Sequence, residues 1–115
     1  MKKSRRDTPA RLAPLDDGRT VELAETFRLM GDASRLKIVL ACLNGPLSVS
    51  EIAKRVELSA SLVSHHLRLL RAARLLRAKR KGKQVFYQAA DAHISCVVAD
   101  MVAHVTEPVR HGERA

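Results

Sequence analysis

Apolar residues recur at helical spacing along most of this chain and alternate with basic ones in one stretch, so the order of elements can be read before any chemistry is considered. Up to about residue 18, charge, Pro and Gly mix without periodicity, which predicts a flexible basic arm over 1–18. From Val21 the spacing becomes helical, with Leu23, Phe27 and Met30 at i, i+4 and i+7, ending near Gly31. Asp32 is placed to cap a second helix whose Leu36, Val39, Leu40 and Leu43 form an apolar stripe, stopped by Asn44, Gly45 and Pro46. Both helices read as scaffold.

Ser48 followed by Glu51 makes a capping box that opens a short helix through Val56. A tight turn leads to Ser59, which can cap a helix from Ala60 to about Ala73. Its Leu62, Val63, Leu67 and Leu70 are expected to face inward, with Ser61, Ser64, His65 and Arg68 toward the other side. Two capped helices so joined form a helix-turn-helix, a pattern that many hairpins without any role on DNA share. The small and hydroxyl residues that start the second helix add weight, because a recognition helix must fit its first turn into the major groove. "LLRAKRKGKQVFYQ" then alternates apolar and basic residues on either side of Lys81 and Gly82, as the two strands of a wing would. Last comes "DAHISCVVADMVAHVTE", residues 91–107, an apolar helical run with polar ends. The predicted class is mainly α with a β-hairpin wing: a winged helix-turn-helix over 19–108, followed by a flexible tail over 109–115.

Charge narrows the function. With 21 Lys and Arg against 12 Asp and Glu, the 115-residue chain carries a formal +9 and a pI near 10.4, which favours a polyanionic partner, nucleic acid before an anionic membrane surface. Arg77, Lys79, Arg80, Lys81 and Lys83 crowd one ribbon, a repulsion that turns favourable beside phosphates through counterion release. The candidate DNA contacts are Ser59, Ala60, Ser61, Ser64, His65 and Arg68 on the helix and Lys79, Arg80, Lys81 and Lys83 on the wing. No apolar run is long enough to span a bilayer, and the basic start lacks the apolar stretch of a signal peptide, so a cytoplasmic protein without a membrane partner is expected. Cys42 and Cys96 lie far apart in apolar surroundings and read as buried thiols. His65 and His66 point about 100° apart on a helix and do not form a chelating pair.

Taken together, "GDASRLKIVLACL", "LSVSEIAKRVELSASLVSHHLRLLRAARLL" and "RAKRKGKQVFYQ" resemble the ArsR/SmtB family of winged-helix, metal-sensing repressors over about residues 21–108. The resemblance implies a homodimer that binds an operator, releases it when an effector binds, and so derepresses metal efflux or resistance genes. Where family members commonly close the recognition helix with Gly, this chain has Arg74, at a cost on the order of 1 kcal/mol if the backbone there is left-handed. The family's thiolate site on the first helix of the helix-turn-helix has no counterpart, since "LSVSEIA" holds neither thiol nor imidazole.

Asp91, His93, His104 and Glu107 match the family's zinc-type site on the last helix, and their geometry can be worked out independently. His93 and His104 lie on nearly one face but about 16 Å apart, so one ion cannot bridge them within a chain. Glu107 is one turn beyond His104, whereas Asp91 can join His93 only from a non-helical N-cap. The 91/107 and 93/104 pairs share a midpoint near Val98 and Ala99. A second helix, antiparallel about a two-fold axis there, brings each N-terminal pair to the partner's C-terminal pair, with Ile94, Val97, Val98, Met101, Val102 and Val105 as the apolar contact. Two carboxylates and two neutral imidazoles balance a dication and suit tetrahedral Zn(II), with Co(II) next; His111 in the tail would raise the coordination number toward Ni(II). Asp100, one turn before His104, is a competing ligand or an unrelated ion-pair partner.

Other readings are a winged-helix regulator switched through Cys42 and Cys96 or by no effector, and a non-regulatory architectural protein with little operator specificity. A zinc hydrolase on the same four residues would lack a place for an activated water and leave the wing without a role.

Overall fold

The computed structural model describes residues 12–109. The elements are α1 (Asp17–Met30), α2 (Ala33–Ala41) with a 3-10 turn at Cys42–Asn44, β1 (Leu47–Ser48), α3 (Val49–Val56), α4 (Ala60–Ala72), β2 (Leu76–Lys81), β3 (Gln84–Ala89) and α5 (Ala92–Thr106). They form the expected mainly α fold with a β-hairpin wing. Residues 1–11 of the expected arm and 110–115 of the expected tail, His111 among them, lie outside the described residues. α1 begins at Asp17, earlier than the Val21 expected, because Asp16 takes the N-cap and accepts from the Arg19 backbone N–H at 2.7 Å.

Every α-helix starts on an Asp or Ser that satisfies an otherwise unpaired N–H, each cap worth about 1 kcal/mol. Asp32 accepts from Arg35 at 3.0 Å, Ser59 from Leu62 at 3.1 Å and Asp91 from Ile94 at 3.0 Å. The predicted capping box is present in both directions, Ser48 N–H to Glu51 Oε1 at 2.8 Å and Glu51 N–H to Ser48 Oγ at 3.3 Å. Arg35 also donates through Nε to the Leu29 carbonyl at 2.8 Å, which ties α2 to the last turn of α1.

α3 and α4 both end on a left-handed residue that is not glycine, Glu57 at φ 59° and Arg74 at φ 62°. At α4 the Arg74 N–H reaches the Arg71 carbonyl at 3.0 Å and the Leu75 N–H reaches the Leu70 carbonyl at 2.9 Å, the paired bonds of a Schellman cap. Leu70 and Leu75, both fully buried, form its apolar clasp.

The hairpin pairs β2 with β3 antiparallel from Leu76 opposite Ala89 to Lys81 opposite Gln84, leaving Gly82 and Lys83 as a two-residue loop. Gly82 adopts φ 62°, which only glycine enters cheaply, and so sets the tight turn. A third strand was not expected: β1 pairs with β3 through Leu47 opposite Tyr87 and Ser48 opposite Phe86, giving the order β1-β3-β2. β1 docks the wing against the start of the helix-turn-helix.

The core gathers Ile38, Val39 and Cys42 from α2 and its turn, Leu47, Ile52, Val63, Leu67, Leu70, Leu75 and Leu76, with Leu29 and Val98 at its margins. Four expectations about facing need correction. Ile38, outside the predicted stripe, is fully buried, because the buried arc of α2 runs through Ile38, Val39 and Cys42. On α1 it is Leu29 that is buried, while Leu23 and Phe27 are 45% and 56% exposed, since α1 meets the core only at its last turn. Leu62, expected inward, is 41% exposed. Val98, expected between chains, is buried in its own protomer. No helix among the described residues is long and apolar enough to cross a membrane.

Candidate functional site

The helix-turn-helix is α3, a turn at Glu57, Leu58 and Ser59, and α4. Buried Val63, His66, Leu67 and Leu70 fix the rotation of α4 about its axis. That rotation leaves Ser59, Ala60, Ser61, His65 and Arg68 exposed and Ser64 half-buried, so the predicted contact residues share one accessible side. The Ser59 hydroxyl is engaged as the cap, which leaves the hydroxyls of Ser61 and Ser64 for base edges or phosphates.

On the wing, Lys79, Arg80, Lys81 and Lys83 are all exposed. Arg77 differs: it stands opposite Gln88 across the strands, and with the Gln88 amide oxygen turned toward it, Arg77 Nε donates at 2.9 Å. It also lines an open groove of about 1140 Å³ bounded by α1, the end of α4 and the start of α5. Across one side of that groove Arg74 pairs with Glu22 of α1 at 3.5 Å.

His66 lies on the packed side of α4, 7% exposed, with its ring centroid 5.7 Å from that of His65. Its Nδ1 is buried with no hydrogen-bond partner among the described residues. Burial and the nearby Arg35 hold its pKa below the ordinary histidine value, against an opposing pull from Asp32. The Cys42 thiol is pushed up to about 11 by burial, which makes it a poor thiolate and so a poor metal ligand or redox switch. Cys96 is half-buried.

α5 runs unbroken between the two candidate ligand pairs. Asp91 occupies its N-cap at φ −161°, ψ 178°, the non-helical position that pairing with His93 requires. Glu107 is the C-cap, its N–H donating to the Ala103 carbonyl at 3.0 Å. All four candidate ligands are exposed, and among the described residues no group of three such side chains comes together within one chain. The first half of α5 packs on β3 and the core through Ile94 and Val98, whereas every residue from Met101 to Val109 is exposed. Val97, Met101, Val102 and Val105 are 47%, 54%, 41% and 76% exposed, and His93, Val97, Met101 and His104 share one stripe within about 80° of arc. α1 adds Leu23 and Phe27, about 40° apart, as a second uncovered apolar stripe, and Val21 is exposed on another side of the helix. The sequence places these residues on a scaffold helix without showing that they stay uncovered, since their spacing looks the same whether a helix packs on its own core or on another chain.

Residues 32–78 match the model of the family described as bacterial regulatory protein, arsR family. The HTH-type transcriptional regulator KmtR of Mycobacterium tuberculosis is 37% identical over 89 residues, spanning 77% of this chain and 68% of that protein. A cadmium resistance transcriptional regulatory protein, the CadC homolog of Staphylococcus aureus, is 33% identical over 88 residues, 76% of this chain and 73% of that protein. The solution structure of apo-NmtR superposes with a TM-score of 0.69 at 30% identity, covering 99% of this chain and 95% of that one.

Proposed function

The chain belongs to the ArsR family of DNA-binding bacterial transcriptional regulators, and from that premise we propose that it is a metal-responsive repressor whose apo homodimer binds operator DNA and releases it on binding Zn(II). Co(II) and Ni(II) are the alternative effectors, and the genes released would serve metal efflux or resistance. Its place in the family makes it a regulator rather than an enzyme.

One observation carries the reading. A single regular helix holds Asp91 and His93 at one end and His104 and Glu107 at the other, and the exposed stripe between them is left uncovered by the described residues of its own chain. A second α5, antiparallel to the first, would cover that stripe and unite the pairs into two equivalent sites. The donors suit the ion, since two carboxylates and two imidazoles per site balance a dication in tetrahedral geometry. Asp91 gives Oδ1 to the helix cap and still has lone pairs to offer. A zinc ion bound there would crosslink the ends of the two α5 helices.

The chain's own packing supplies the rest. α5 follows β3 within three residues, β3 pairs with β2, and Leu76 at the start of β2, with Leu75 just before it, joins Leu70 of α4 in the core. Fixing α5 against its partner therefore bears on the separation of the two recognition helices. Release requires tighter zinc binding to the DNA-incompetent arrangement; each tenfold loss of operator affinity corresponds to about 1.4 kcal/mol of coupling.

The test is a labelled operator titrated with zinc, cobalt and nickel at fixed salt. His104→Ala is expected to retain apo operator affinity and lose zinc-induced release. Dissociation of that variant at wild-type zinc concentrations would show the assigned site to be wrong.

A further inference from the structure

Large apolar side chains stand exposed at eleven described positions, ten of them on or beside α1 and α5. Leu62 is the exception. It is the third residue of α4, 41% exposed, and its backbone N–H is held by the Ser59 cap at 3.1 Å, so it belongs to the ordered first turn. With Val63 and His66 fixing the helix rotation, Ser61, Leu62 and His65 occupy one contiguous arc of about 100° on the accessible side. Ala60, Ser61 and Ser64 are short, which leaves Leu62 as the long apolar side chain of that turn.

The N-terminal turn of a recognition helix is the part that meets base edges in the major groove. Hydroxyls and imidazoles there read donors and acceptors. The one apolar feature on the floor of that groove is the C5-methyl of thymine, and an aliphatic side chain is the group that can read it. We infer that Leu62 is a specificity-determining residue that packs on a thymine C5-methyl in each operator half-site. The inference rests on the operator-binding reading above and adds to it a base preference and the residue that sets it.

The test starts from a duplex selected out of a randomised pool by the full-length wild-type protein. Each thymine is then replaced singly by deoxyuridine, which removes only the methyl group. Wild type is expected to bind about fourfold more weakly at one thymine per half-site, the worth of one buried methyl, and about sixteenfold more weakly when both are replaced. Leu62→Ala should lose affinity for the thymine duplex by at least the same factor and become indifferent to those replacements, with unchanged circular dichroism melting and unchanged affinity for nonspecific DNA. Leu62→Met, which keeps an aliphatic reach, should retain the methyl effect. The inference is overturned if no thymine shows a methyl effect in wild type, or if the effect persists undiminished in Leu62→Ala. Failure of the wild type to select any sequence is a different result, which would overturn the operator reading itself and this inference with it.

Discussion

Replacing Arg74 by Gly should make this protein more stable, although it removes an ion pair and places the least helix-favouring residue short of proline at a helix end. Arg74 sits at φ 62° because the Schellman cap of α4 demands a left-handed residue between Ala73 and Leu75. A residue with a Cβ pays about 1 to 2 kcal/mol there. Glycine escapes that cost but adds back about 0.4 to 1 kcal/mol of unfolded-state entropy. The pair with Glu22, at 3.5 Å with side chains 80% and 57% exposed, lies at the weak end of surface ion pairs, near zero. The net is a gain of about 0.5 to 1 kcal/mol, or roughly 4 °C in Tm for a domain of this size. Arg74→Ala is the control, since it loses the same ion pair and keeps the left-handed strain. Urea or thermal unfolding at one fixed protein concentration, needed because an associating chain couples stability to concentration, would compare the three proteins. If Arg74→Gly proves no more stable than Arg74→Ala, the cap geometry assigned to α4 is wrong.

The buried His66, whose Nδ1 has no partner among the described residues, favours its neutral form, so its contribution is intact above its ordinary pKa near 6.5 and is lost as pH falls through the lowered folded value. The urea midpoint of the wild type should therefore drop more steeply between pH 7 and pH 5 than that of His66→Gln; parallel curves would remove His66 from the account. Replacing Lys79 and Lys81 by Ala should weaken operator and nonspecific binding alike and reduce the slope of log K against log salt by about one for each phosphate no longer neutralised, as read by fluorescence anisotropy. An unchanged slope would mean that these lysines do not meet phosphates. Met101→Glu, on the exposed stripe of α5, should raise the dimer dissociation constant at least tenfold in sedimentation equilibrium while leaving the monomer's circular dichroism intact, and a dimer as tight as wild type would place the interface elsewhere.

What the sequence made legible follows from what each feature depends on. Caps depend on one side chain and a backbone three residues away, so Asp32, Ser48 with Glu51, Ser59 and Asp91 could all be read locally, and with them the starts of α2 to α5. The wing was legible because Gly82 marks its turn and alternation marks its strands. β1 was not, since two residues carry no period and its pairing with Tyr87 and Phe86 is a tertiary event. The left-handed position at Arg74 stood out through its departure from a familiar glycine, while Glu57, in the same conformation, gave no such signal.

The misreadings of facing share one cause. Periodicity finds an apolar stripe but does not say what covers it, and the apolar positions of this chain fall into three groups. Val63, Leu67 and Leu70 go to its own core, and Val98 joins them although its spacing assigned it to the helix–helix contact. Phe27, Leu23, Val97 and Met101 are left bare by the protomer, on the two faces that a second copy would bury. Leu62, alone on the reading helix, fits neither group. The candidate ligand pairs of α5 were legible for the converse reason: a spacing that forbids chelation within one helix is informative without any contact. In the proposed site its meaning, like that of the bare apolar faces, lies in the geometry of two chains.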